Sequence, residues 1–151
     1  YNNVTNRAIR VVKLSDDYLT PMVQTSVLVD SMQREAPSIF KKDGRYFLLT
    51  SGCDWWNPTA ARVHSATSLS GTWTSLGNPA TGAMSNLTYH SQGTNVLQIT
   101  GNAGESEFVF LADRWNADYL PKSRYLWLPV TWNGTTPRLH EPTVWNRSVF
   151  A

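Results

Sequence analysis

The chain is 151 residues long, which suits one domain or part of one and excludes two large domains. Hydrophobic residues make up 41% and charged residues only 16%, a balance that excludes a disordered chain. The formal net charge is +2 and the basic residues are scattered, so nothing indicates a nucleic-acid partner.

Short runs rich in β-branched and aromatic residues predict strands along the whole chain. In the first half they cover residues 8–14, 27–29, 38–40, 46–50, 61–66 and 73–76. In the second half they cover residues 95–100, 107–112, 124–132 and 143–145. No stretch sustains a helical pattern of apolar residues for about 10 positions. The sequence therefore predicts an all-β protein, namely a sandwich, a barrel or a propeller.

An internal repeat favours the propeller. Residues 35–40, 46–51 and 62–66 resemble residues 92–97, 108–113 and 125–129 in the same order. Glu35 and Gln92 are 57 residues apart, a spacing compatible with four strands and long loops. The first strand of each propeller blade lines the central channel, so Glu35 and Gln92 would face one site. A sandwich with two similar pairs of hairpins is the competing interpretation.

Polar composition indicates an extracellular protein. Ser, Thr and Asn together account for 41 residues, and four sequons begin at Asn3, Asn86, Asn133 and Asn146. The lone Cys53 is either a small buried residue or the partner of a cysteine outside this chain. No run of about 18 apolar residues suggests a membrane span. The sequence shows no signal peptide and begins with a polar stretch at Tyr1. We therefore expect a processed or truncated start.

Two ordered motifs carry a resemblance to a known family. EAPSIFKKDGRYFLLTS at residues 35–51, followed by SATSLSGTW at residues 65–73, closely resembles the second half of the catalytic domain of glycoside hydrolase family 43. SGCDWW at residues 51–56, Ser91-Gln92, ADRW at residues 112–115 and SRYLWLP at residues 123–129 look like the exo-β-1,3-galactanase branch. The resemblance implies a five-bladed β-propeller, of which residues 1–151 would supply about two to three blades, the N-terminal blades being absent.

The resemblance also implies roles for two residues. Glu35 would be the general acid, because it stands in the family's Glu-Ala-Pro motif. In most of the family two further Asp residues, the base and one that tunes the acid, would precede Tyr1. In the galactanase branch a Gln matched to Gln92 assists the attacking water. The implied activity is inverting release of terminal galactose from β-1,3-galactan, a polysaccharide substrate, without a cofactor.

The chemistry of glycoside cleavage can be considered beside the resemblance; the position of Glu35 alone favours an ordinary surface residue, and the motif favours the acid. The reaction needs a protonated carboxylic acid for the leaving oxygen and a group that activates water on the opposite face of the sugar. Ala36-Pro37 would hold Glu35 extended at a strand entrance, and burial among aromatic residues would keep it protonated. The alternative is a surface Glu paired with Arg34. The Gln92 amide can hold a water or a sugar hydroxyl, or can merely form hydrogen bonds at a strand end.

Aromatic residues near Glu35 are candidates for a sugar platform. Trp55 and Trp56 follow Gly52, and one of them would stack on galactose while the other fills the core, since neighbours on a strand point to opposite sides. Asp54 could accept hydrogen bonds from sugar hydroxyls or cap a turn.

Arg114 and Trp115 are further candidates for contact with the sugar. Arg114 or Trp115 could face the channel, and an ion pair between Asp113 and Arg114 is equally plausible. The three His residues lack metal-ligand spacing, so no metal is assigned.

Two classes of function remain from the sequence. The first is a glycoside hydrolase acting on β-1,3-galactan, with arabinan and xylan as the alternative substrates within the family. The second is a non-catalytic carbohydrate-binding β-protein.

Overall fold

The fold comes from a computed structural model, which describes residues 8–29, 33–101 and 103–150. The sequon at Asn3 lies outside these residues. The described residues form ten strands, separated by loops and three short 3-10 segments. The strands are β1 Ile9–Leu14, β2 Pro21–Val29, β3 Arg34–Lys42, β4 Arg45–Gly52, β5 Arg62–Ala66, β6 Thr74–Gly77, β7 Gln92–Thr100, β8 Ser106–Arg114, β9 Arg124–Asn133 and β10 Thr136–Leu139. Within the described ranges, no helix is long and apolar enough to cross a membrane.

The strands form three antiparallel sheets. β1 and β2 pair as a hairpin, β3-β4-β5-β6 form the first blade, and β7-β8-β9-β10 form the second blade. Each blade runs through consecutive strands, as propeller blades do, and the first strands β3 and β7 lie next to each other. The prediction of an all-β partial propeller is confirmed.

The core lies between the two blades. Alternation along β3 buries Ser38 and Phe40 while Ile39 and Lys41 stay exposed, so the strand presents one face to the second blade. The Phe40 ring contacts the Phe108 ring of β8, with centroids 4.9 Å apart. Burying a large apolar side chain stabilises a fold by about 1.5–3 kcal/mol, so this contact helps to hold β3 against the second blade.

The last strand of the second blade differs from the sequence-based prediction. Residues 143–145 form a bend before a 3-10 segment, so the predicted strand there is wrong. β10 at Thr136–Leu139 takes its place, directly after the two-residue turn Gly134-Thr135. Pro137 is compatible with this strand because β10 is the edge of its sheet, where a missing N–H breaks no interior ladder.

Two backbone hydrogen bonds link the blades. The Leu139 N–H donates to the Pro79 carbonyl at 2.9 Å, and the Thr81 N–H donates to the Leu139 carbonyl at 3.0 Å. These bonds tie the connection between β6 and β7 to the outer edge of the second blade. The loop that leads into β7 is thereby fixed to β10.

Candidate functional site

Glu35 and Gln92 meet at one end of the two inner strands. The Gln92 Nε2 atom donates a hydrogen bond to Glu35 Oε1 at 2.9 Å. Glu35 lies opposite Ser51 in the first blade and Gln92 lies opposite Asp113 in the second, so the two residues hold equivalent positions. The internal repeat therefore brings these two side chains together, as the sequence predicted.

A bulge in β3 adjoins Glu35. The pairing with β4 shifts register between Glu35 and Ser38, and Ala36 has a φ of 49°. Glu35 itself is extended at the start of β3, as expected, but Ala36 is not, because it adopts the left-handed conformation in the bulge. Bulges bend a strand and re-aim its side chains, so this one sets the direction of the Glu35 carboxyl.

Arg34 does not pair with Glu35. Its guanidinium donates to Thr50 Oγ1 at 3.0 Å, to the Thr50 carbonyl at 2.6 Å and to the Ala60 carbonyl at 3.0 Å. Burial, with Arg62 nearby, lowers the pKa of Arg34 to about 10. The alternative of an Arg34–Glu35 ion pair is wrong. The Glu35 carboxyl is half-buried, accepts a hydrogen bond from the neutral Gln92 amide and also interacts with the nearby Cys53 thiol.

The Gln92 amide is almost fully engaged. Besides the bond to Glu35, Nε2 donates to Ser51 Oγ at 2.9 Å, and Oε1 accepts from Trp115 Nε1 at 3.1 Å. A Gln amide has two donor hydrogens and an oxygen with two lone pairs. One lone pair of Oε1 is left for a water or a sugar hydroxyl.

An aromatic cleft opens beside this pair. Trp55, Trp56, His90, Gln92 and Trp115 are among its lining residues. The three Trp side chains are 69%, 48% and 40% exposed in chain order, and the Trp56 and Trp115 rings meet edge to face with centroids 5.4 Å apart. Exposed indole faces beside polar groups suit a sugar, which has apolar C–H faces and hydroxyl edges.

Both neighbouring Trp residues face the cleft, so the prediction that one fills the core is wrong. They belong to a turn and not to a strand: the Asn57 N–H donates to the Asp54 carbonyl at 2.9 Å, and Trp55 has a φ of 53°. Alternation between opposite faces does not apply in a turn. Asp54 is exposed and opens this turn, outside the lining of the cleft.

Of the next two candidates, only Trp115 reaches the cleft. Arg114 donates from Nε to the Tyr89 carbonyl at 3.0 Å and forms an ion pair with Glu141. Among the ion pairs of the described residues there is none between Asp113 and Arg114. Arg114 therefore holds the segment before β7 in place, and its predicted contact with substrate finds no support in its position.

Sequence reasoning missed the strained segment that precedes Gln92. Thr88, Tyr89 and His90 have φ values of 48°, 56° and 58°, a left-handed run without glycine. Such conformations cost about 1–3 kcal/mol each and persist only where surrounding contacts impose them. The Thr88 hydroxyl supplies two of these contacts, since it donates to the Thr59 carbonyl and accepts from the Ala61 N–H, both at 2.7 Å.

Cys53 lies near the acid and was not predicted as part of the site. Burial and the nearby Glu35 carboxylate raise the pKa of this half-buried thiol. It therefore stays in the unreactive thiol form at neutral pH. No cluster of three or more His, Cys, Asp or Glu side chains suited to a metal ion occurs in the part of the chain that the structure describes.

The known proteins that match this chain are found among solved structures. No protein-family model matches the chain. A search of curated protein sequences also finds no match.

Among the solved structures that match are two β-1,3-galactosidases of glycoside hydrolase family 43 and an exo-β-1,3-galactanase. A family 43 β-1,3-galactosidase with galactodeoxynojirimycin is 36% identical, with a TM-score of 0.83 over 92% of this chain and 40% of that one. A second family 43 β-1,3-galactosidase is 33% identical, with a TM-score of 0.90 over 96% of this chain and 30% of that one. A variant exo-β-1,3-galactanase from Phanerochaete chrysosporium with β-1,3-galactotriose is 30% identical, with a TM-score of 0.78 over 89% of this chain and 29% of that one. This chain thus spans less than half the length of each structure.

Proposed function

Because this chain belongs by sequence and fold to glycoside hydrolase family 43, we propose that it forms part of a catalytic propeller that removes terminal β-1,3-linked galactose from galactan. The observation that carries the proposal is the contact of Glu35 with Gln92 beside the tryptophan-lined cleft. The three structures named above are β-1,3-galactosidases or galactanases, which favours galactan over arabinan and xylan.

Each proposed role follows from the chemistry of the side chain. Glu35, when protonated, gives its proton to the leaving glycosidic oxygen. Gln92 contacts Glu35 and therefore lies on the side of the acid, where the free lone pair on its Oε1 accepts a hydrogen bond from a sugar hydroxyl. Trp55, Trp56 and Trp115 pack against the apolar faces of the sugar. In an inverting reaction the water attacks from the face opposite to Glu35, so the group that activates it stands across the sugar ring.

The domain proposal rests on length. Residues 1–151 correspond to 29–40% of the three solved structures, so we propose that they are the C-terminal part of one catalytic domain, whose other blades complete the site. The protein is proposed to be secreted, since three sequon asparagines in the described residues, Asn86, Asn133 and Asn146, are exposed.

Hydrolysis assays test both proposals. The longest natural form of the protein should release galactose from β-1,3-galactan faster than it releases sugars from arabinan or xylan, and NMR of the first product should show the inverted anomer. The isolated 151-residue chain should release little or none. Full activity of the short chain would contradict the domain proposal. Binding of galactan without hydrolysis by the longer form would favour a carbohydrate-binding protein.

A further inference from the structure

We propose that Ser51 and Trp115 are positioning residues that fix the Gln92 amide in one orientation, so that Gln92 donates to Glu35 Oε1 and reserves Glu35 Oε2 for the proton. The proposal rests on the function proposed above, because it assigns Glu35 as the acid. It adds two residues to the reaction that act through Gln92.

Trp115 determines which way the amide faces. An indole N–H can only donate, so the atom opposite Trp115 Nε1 has to be the amide oxygen of Gln92. If the amide turned over, its NH₂ group would face the indole N–H and its oxygen would face the Glu35 carboxylate. The contact with the indole would be repulsive in either protonation state of Glu35, and the contact with the carboxylate form of Glu35 would be repulsive as well. Ser51 Oγ accepts the second N–H of the amide, which uses the remaining donor and completes the arrangement.

The fixed amide in turn determines where Glu35 carries its proton. Oε1 already accepts the hydrogen from Gln92 Nε2 at 2.9 Å, so a proton on that oxygen would collide with the donor. The proton of the carboxylic acid therefore resides on Oε2. A general acid works best when its proton lies on one oxygen in one direction, because the leaving oxygen has to be within hydrogen-bond reach of it.

Both positioning residues are themselves held rigidly. Ser51 is 6% exposed and lies directly opposite Glu35 in the pairing of β3 with β4. Trp115 follows the last residue of β8, and its ring is supported by the edge-to-face contact with Trp56. A contact shell of this kind keeps a catalytic group within the narrow limits that proton transfer needs.

The test compares substrates that differ in their need for the acid. Trp115→Phe keeps an aromatic ring in the cleft but removes the N–H donor together with the five-membered ring, and Ser51→Ala removes only the hydroxyl. Turnover is measured in the longest natural form of the protein, on a β-1,3-linked galactan and on an aryl β-galactoside with a good leaving group, which needs little protonation. Trp55→Phe is the matched control, because it makes the same chemical change in the same cleft, at a ring outside the Trp56–Trp115 contact.

The expected result is a selective loss. Trp115→Phe and Ser51→Ala should each lower kcat on galactan by about tenfold, the value of one well-placed hydrogen bond, while kcat on the aryl substrate changes much less. Trp55→Phe should raise KM on both substrates and leave the ratio of the two kcat values unchanged. An equal loss on both substrates, or no loss, in Trp115→Phe would overturn the proposal.

Side-chain NMR separates this proposal from the proposed function. In the wild-type protein both Gln92 amide hydrogens should be protected from exchange, and Trp115→Phe should abolish that protection while Trp55→Phe preserves it. If the wild-type protein hydrolyses neither substrate, the proposed function fails, yet the NMR still decides whether Trp115 orients the amide. Unprotected Gln92 hydrogens in the wild-type protein would refute the positioning role.

Discussion

Thr88→Val should destabilise the fold strongly although the two side chains have nearly the same shape. Thr88 is 2% exposed, and its hydroxyl bridges the Thr59 carbonyl and the Ala61 N–H. Valine fills the same space but leaves the buried Ala61 N–H and the part-buried Thr59 carbonyl without this partner. At about 1–3 kcal/mol for the buried N–H and less for the carbonyl, the expected loss is about 1–4 kcal/mol, a large part of the ~5–15 kcal/mol that a domain has.

Backbone strain at residue 88 does not distort the comparison of threonine with valine. Thr88 has a φ of 48°, and valine is as branched at Cβ as threonine, so the strain is similar in both. Thr88→Ser is the matched control, because it keeps the hydroxyl and loses one methyl group, worth about 1 kcal/mol. Urea unfolding followed by tryptophan fluorescence gives the midpoint and the slope for each variant. A Val variant as stable as the Ser variant would refute the role of this hydroxyl.

Two further predictions concern a buried histidine and the sugar platform. His64 is 3% exposed, and burial, followed by the charges of Arg62 and Arg34, lowers its pKa from the ordinary value of 6.5. The neutral form of His64 is therefore the one that the fold accommodates. The stability that depends on this neutral form is complete above about pH 6.5 and is lost as the pH falls below that value. Urea unfolding of the wild-type protein at pH 7.5 and 5.0 should show this loss and His64→Leu should reduce it, whereas an equal pH dependence in both would contradict the assignment. Trp55→Ala should weaken binding of β-1,3-galactotriose by at least about fivefold in calorimetry while the unfolding midpoint stays nearly constant, because Trp55 is 69% exposed. Unchanged affinity would remove Trp55 from the platform.

The strands and the meeting of Glu35 with Gln92 could be predicted because they depend on local pattern and repetition. β-branched and aromatic runs mark most strands, and a repeat of 57 residues places equivalent side chains on neighbouring blades. β10 was missed because Pro137 argues against a strand unless the strand is known to be an edge, and edges follow from the order of strands in the sheet.

The details of the site depend on tertiary contacts that leave no local signal. Thr88 to His90 are left-handed without a glycine, because buried hydrogen bonds from distant segments impose that conformation. The turn at Asp54–Asn57 places both Trp55 and Trp56 on the cleft, although strand alternation would separate them. The partner of Arg114 is Glu141, 27 residues away, where the sequence suggested its neighbour Asp113.

The most direct test of the central claim is the effect of Glu35→Gln on two substrates in the longest natural form of the protein. Gln keeps the shape of the side chain and removes the proton that the leaving oxygen needs. Turnover of β-1,3-galactan should fall by at least about two orders of magnitude, with a much smaller loss of binding, while an activated aryl galactoside retains part of its rate. Equal impairment on both substrates, or none, would contradict the assignment of Glu35 as the general acid.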